Sequence, residues 1–95
     1  MRDISPEKIR KFLLTRYSEP IKGMGLDPIE VPDSFDLLLS GVIDSLGILE
    51  MIGSIEEEFR IRLDLAALDA EQITILGPLS LYVAGNAEPD SSAGQ

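Results

Sequence analysis

This chain predicts an all-α fold: a small bundle of three main helices plus one short helix, with a long loop between helices 1 and 2. Three observations lead there. Apolar residues recur at helical spacing in separate stretches. Cap and breaker residues bracket those stretches. The one alternating segment, Arg60 to Asp64, is short and has no visible strand partner, so it reads as an extended link. Ninety-five residues allow one domain with one core. Tryptophan is absent and aromatics are few, so that core must rest on Leu and Ile.

The first helix is expected over residues 6 to 18. Ser5 suits the N-cap, Pro6 the first helical position, and Glu7 the positive end of the dipole. Ile9, Phe12, Leu13 and Tyr17 then form one inward stripe, with Lys8, Arg10, Lys11 and Arg16 outside it. Glu19 to Gly41 reads as a long connection. Pro20, Gly23, Gly25, Pro28 and Pro32 exclude a continuous helix there, and loops of that length are often functional. Ile21, Met24, Leu26, Ile29 and Val31 are expected to pin it over the core. The stretch SFDLLLS is expected to make a helical turn capped by Ser34, which Gly41 ends.

The second main helix is expected over residues 45 to 59. Leu46, Leu49, Ile52, Ile55 and Phe59 read as its inward stripe, with Ile48 and Met51 flanking it. Glu50 and the run Glu56, Glu57, Glu58 require that part of it face water. Gly47 and Gly53 each cost about 1 kcal/mol against Ala in a helix interior. A short helix is expected at residues 68 to 73 and a last one from Pro78, with Leu79, Tyr82 and Val83 on one face. The domain is expected to occupy residues 1–84, and the small polar residues 85–95 to form a disordered tail.

Missing residue types exclude much chemistry. Without cysteine there is no disulfide, thiol nucleophile or thiolate metal site. Without histidine there is no Ser-His-Asp triad and no ordinary near-neutral base. No calcium-loop spacing occurs, so no metal site is expected. The net charge of −9 disfavours nucleic acid and anionic membranes and steers the chain toward basic protein surfaces. With no span-length apolar run and a polar start, a soluble cytoplasmic protein is the expectation, taken as a monomer and, without His, Cys or a metal motif, as not itself an enzyme.

The charge is unevenly placed. No Lys or Arg occurs between Gly23 and Phe59, a stretch that holds Asp27, Glu30, Asp33, Asp36, Asp44, Glu50, Glu56, Glu57 and Glu58. Within it, at the start of the second main helix, stands Ser45. Taken alone, Asp44-Ser45-Leu46 is what a helix cap looks like, supplied by either Asp44 or Ser45.

The wider segment GVIDSLGILEMIGSIEEEFRI resembles the core motif of the acyl carrier protein family, including the related peptidyl and aminoacyl carriers. Gly41, Asp44, Ser45, Leu46, Glu50 and the block Glu56 to Phe59 stand in register with the family pattern, and the likeness covers roughly residues 5 to 84. It implies that Ser45 receives 4′-phosphopantetheine from coenzyme A through a separate phosphopantetheinyl transferase, with Asp44 and Leu46 framing the site. Cargo would ride as a thioester on the arm, which would bring the sulfur the chain lacks. Partners implied are that transferase, an acyl- or aminoacyl-loading ligase or transferase, and downstream synthase enzymes with basic surfaces. Glu50, Met51, Glu56 and Glu57 are the expected partner-binding residues. The resemblance leans toward specialised fatty-acyl or polyketide-type biosynthesis. An aminoacyl or peptidyl carrier, or a non-carrying acidic adaptor of the same fold, are the alternatives. Gly47 departs from the family, where an acidic residue is common, and Gly53 is unusual in mid-helix.

Overall fold

A computed structural model describes residues 4–64 and 72–89. The chain folds as α1 (Pro6–Arg16), α2 (Ser18–Gly23), a 3-10 turn (Pro28–Glu30), α3 (Ser45–Phe59), β1 (Ile61–Arg62), α4 (Leu76–Asn86) and β2 (Glu88–Pro89). It is an all-α protein. Its only extended pairing among the described residues, apart from one isolated bridge, joins Ile61 to Pro89 and Arg62 to Glu88, antiparallel. No described helix is long and apolar enough to cross a membrane.

The N-terminus of α1 forms as its sequence dictates: the Ser5 hydroxyl accepts the Lys8 N–H at 3.3 Å, and Pro6 opens the helix. Ile9, Leu13 and Leu14 are buried, while Phe12 and Tyr17 pack half-buried against the core. The helix stops at Arg16 rather than at residue 18. Tyr17 is its C-cap, and the chain starts a second short helix at once. Pro20 is accommodated in the first turn of α2, where a missing N–H costs nothing. The prolines and glycines of residues 19–41 exclude one long helix but allow this short one. Of the five apolar residues expected to pin the connection, Ile21 and Val31 are buried; Met24, Leu26 and Ile29 face outward.

The segment between the 3-10 turn and α3 is stitched to the start of α4. Leu37 N–H donates to the Thr74 carbonyl at 2.8 Å, Leu76 N–H to Phe35 at 2.9 Å, and Gly77 N–H to Asp33 at 2.8 Å. A Cβ on Gly77 would lie 2.7 Å from the Asp33 Cβ, so only glycine permits this approach. The turn that follows is capped by Asp36, not by Ser34: one Asp36 oxygen accepts the N–H groups of Leu38 and Leu39 at 2.9 and 3.0 Å. Gly41, at φ +87°, then takes a left-handed conformation that favours glycine.

The core joins Ile9 and Leu13 of α1, Met51, Ile52 and Ile55 of α3, and Leu76, Leu79 and Val83 of α4, with Ile21, Val31 and Leu37 closing it from the connection. Phe12 and Phe59 meet edge to face at 5.6 Å between ring centres, tying α1 to α3. Arg60 ends α3 in the left-handed conformation at φ 54°. The link beyond it does have a strand partner, supplied by Glu88–Pro89, residues the sequence assigns to the tail. The domain boundary expected after residue 84 therefore falls inside α4, which runs to Asn86. The Tyr82 hydroxyl donates to the Asp64 carbonyl, and burial, then the carboxylates of Asp64 and Glu88, hold its phenol above the usual range. The short helix expected at 68–73 lies mostly outside the described residues, of which Gln72 to Thr74 form a turn.

Candidate functional site

The candidate site is the N-terminus of α3 and the face that runs down from it. Asp44 is the N-cap: its carboxylate accepts the Gly47 N–H at 2.7 Å, and its carbonyl accepts the Ile48 N–H at 3.2 Å. The sequence allowed either Asp44 or Ser45 to cap this helix, and the structure assigns the work to Asp44. Ser45 is the first helical residue, exposed, and its hydroxyl makes no hydrogen bond among the described residues. The N–H groups of Ser45 and Leu46 have no intrahelical acceptor, so the positive end of the helix dipole lies directly beside the free hydroxyl.

Gly47 has a structural reason. A Cβ there would lie 3.1 Å from the Ile43 Cβ and 3.2 Å from an Asp44 carboxylate oxygen. Ile43 is buried and Asp44 is the cap, so a side chain at this position would press on both. The short Asp44–Gly47 bond is thus made where any larger residue would crowd it. Gly53 is the opposite case: nothing lies within 4 Å of the position its Cβ would take. No described segment uses the space it leaves.

The inward stripe of α3 differs from the expected one. Met51, Ile52 and Ile55 are buried, with Ile48 and Phe59 packed half-buried beside them. Leu46 and Leu49 are 73% and 60% exposed. The reason is geometric. At 3.6 residues per turn, each i+3 step falls about 60° short of a full turn. The sequence Leu46, Leu49, Ile52, Ile55 takes three such steps, so its two ends lie on opposite sides of the helix. Leu46, Leu49, Glu50, Gly53 and Glu57 share the outer face; Ile48, Met51, Ile52, Ile55 and Phe59 share the inner one. Leu39, in the turn that leads to α3, adds a third outward leucine at 85% exposure.

The expected partner-binding residues divide accordingly. Glu50 and Glu57 are exposed on the outer face, two turns apart. Met51 is 0% exposed and belongs to the core, so it offers no surface to a partner. Glu56 is half-buried, and its carboxylate accepts the Leu63 N–H at 2.9 Å, which fastens the link after α3 to the helix. Several other acids of the charge-asymmetric stretch are also engaged. Asp27 and Asp36 accept backbone N–H groups in their own turns. Asp33 pairs with Arg10 at 2.9 Å, and Arg10 also donates to the Val31 carbonyl. The outer face of α3 therefore carries two exposed carboxylates beside exposed leucines, rather than the undivided acidic surface that composition suggests.

Leu39 and Leu49 are the surface residues that sequence reasoning missed. Angular placement would have found Leu49, since it falls about 160° around the helix from Met51 and about 120° from Ile55 once the precession of i+3 steps is followed. No sequence signal marks Leu39 as exposed, because neighbouring Leu37 is buried and Leu38 half-buried in the same turn. No family model, curated protein or solved structure matches this chain.

Proposed function

We propose that this protein is a discrete acyl carrier, with Ser45 as the attachment point for 4′-phosphopantetheine, serving specialised fatty-acyl or polyketide-type biosynthesis. The observation that carries the reading is the division of labour at the start of α3. Asp44 does the capping, which leaves the neighbouring Ser45 hydroxyl exposed and without a partner among the described residues. A serine kept for helix stability would hold its oxygen on a first-turn N–H.

The residues present suit the group. The unpaired N–H groups of Ser45 and Leu46 and the helix dipole favour a phosphodiester at the Ser45 oxygen. The group supplies a thiol, which would carry cargo as a thioester. The chain offers Ser45 no histidine or other base, so the hydroxyl needs an external enzyme to activate it. Asp44 keeps a negative charge beside the incoming phosphate. The second oxygen of its carboxylate suits a metal-assisted transferase, which would make that charge useful during loading. Leu46 and Leu49, with Glu50 and Glu57 on the same face, combine an apolar contact surface with carboxylates that would guide a basic partner to Ser45.

The test is intact mass after incubation with coenzyme A, Mg²⁺ and a broad-specificity phosphopantetheinyl transferase, with Ser45→Ala in parallel. One phosphopantetheine on the native chain and none on the variant is the expected result. No adduct with that transferase or with a second, unrelated one overturns the reading and leaves an acidic adaptor of this fold.

A further inference from the structure

We infer that the cleft between α1, α2 and the 3-10 turn is a binding site for an amphipathic monocarboxylate, a molecule with one anionic head and an apolar body. The cleft measures about 590 Å³, within the range of small-molecule sites. Its apolar lining comes from Leu14, Pro28 and Ile29. Ile29 is 84% exposed, so its aliphatic side chain is open to solvent at the cleft.

One wall carries Lys11, Thr15, Ser18 and Lys22 at successive spacings of four, three and four residues along α1 and α2. Neither lysine has a carboxylate within ion-pair distance among the described residues. Of the other charged groups of the lining, Arg10 and Asp27 are engaged, while Glu7 shares a face of α1 with Lys11 without pairing with it among the described residues. Arg10 is held by Asp33 and the Val31 carbonyl, and the Asp27 carboxylate accepts the Ile29 N–H. Glu7 lies at the N-terminal end of α1, about a turn before Lys11. Two unpaired ammonium groups and two hydroxyls thus face an apolar floor, in a chain whose net charge is −9. That donor set matches a carboxylate head, and the floor matches an alkyl body. A cationic or neutral amphiphile would leave the lysines without a counter-charge.

The site does not depend on what Ser45 carries. Titration of ¹⁵N-labelled protein with sodium decanoate is the test, with decyltrimethylammonium as the charge control. Saturable shifts at one equivalent, centred on Lys11, Thr15, Ser18, Lys22 and Ile29, are expected, and decyltrimethylammonium should not reproduce them. The double variant Lys11→Gln, Lys22→Gln changes two exposed side chains and should bind about tenfold more weakly. Ser45→Ala should bind decanoate as the native chain does, whether or not Ser45 accepts phosphopantetheine. Shifts that fail to saturate, that appear equally with the cation, that centre on Leu39, Leu46 and Leu49, or that survive the double lysine variant unchanged overturn the inference.

Discussion

The two halves of α3 are built from the same kind of residue and meet opposite fates. From Ser45 to Glu50 the helix turns Leu46 and Leu49 outward; from Met51 to Phe59 it buries Met51, Ile52 and Ile55. Both halves contain a glycine. Gly47 is hemmed in by Ile43 and Asp44, whereas Gly53 stands open. The comparison teaches that apolar periodicity identifies a helix without saying which apolar residues form the core. The first half keeps its leucines on the surface beside the exposed Ser45, as a contact surface would. The second half uses its aliphatic residues to hold the fold.

The comparison breaks most directly through truncation. Ile55→Ala should cost about 2–5 kcal/mol, because a fully buried side chain leaves a cavity. Leu49→Ala should stay within about 0.5 kcal/mol. Urea unfolding of both variants checks this, and similar losses would mean that Leu49 packs inside after all.

Next in size is the outer face as a contact surface. Reversing Glu50 and Glu57 to Lys should slow phosphopantetheine loading about tenfold at low salt, with the difference shrinking as salt rises. Circular dichroism should show the fold intact. Equal loading rates at low salt would remove these carboxylates from partner recognition.

Asp44 and Ser45 sharpen the comparison at the helix end. Asp44→Ala should lose about 1 kcal/mol of stability with its bond to Gly47, whereas Ser45→Ala should lose almost none. The reverse order in a thermal melt would return the cap to Ser45. Gly53→Ala should add up to about 1 kcal/mol, since helix propensity improves and no atom stands in the way. Gly47→Ala should forfeit that gain against Ile43 and the Asp44 carboxylate, so the two alanine variants should separate in chemical denaturation.

The candidate site was legible where its chemistry is local. The limits of α3 at residues 45 and 59 follow from the chain alone, as does a cap at Asp44 or Ser45, though not the choice between them. So do the N-terminus of α1 at Ser5 and Pro6 and the entry of Pro78 into the first turn of α4. Caps and turns are interactions between residues a few positions apart, so short stretches of chain carry their whole cause. The segregation of charge and the absence of His and Cys are equally plain in the sequence, and they bound the chemistry before any folding is considered.

Tertiary structure decided everything that depends on a distant neighbour. It turned Met51 into the core and Leu46 and Leu49 out of it, because the facing of a helix is set by what packs against it. It diverted Glu56 to the Leu63 N–H, paired Ile61–Arg62 with Glu88–Pro89, and brought Asp33 so close to Gly77 that only glycine fits. It also left Ile29 uncovered over a cleft rimmed by Lys11 and Lys22. Each of these joins segments far apart in the chain, and burial becomes definite only once the fold has placed both.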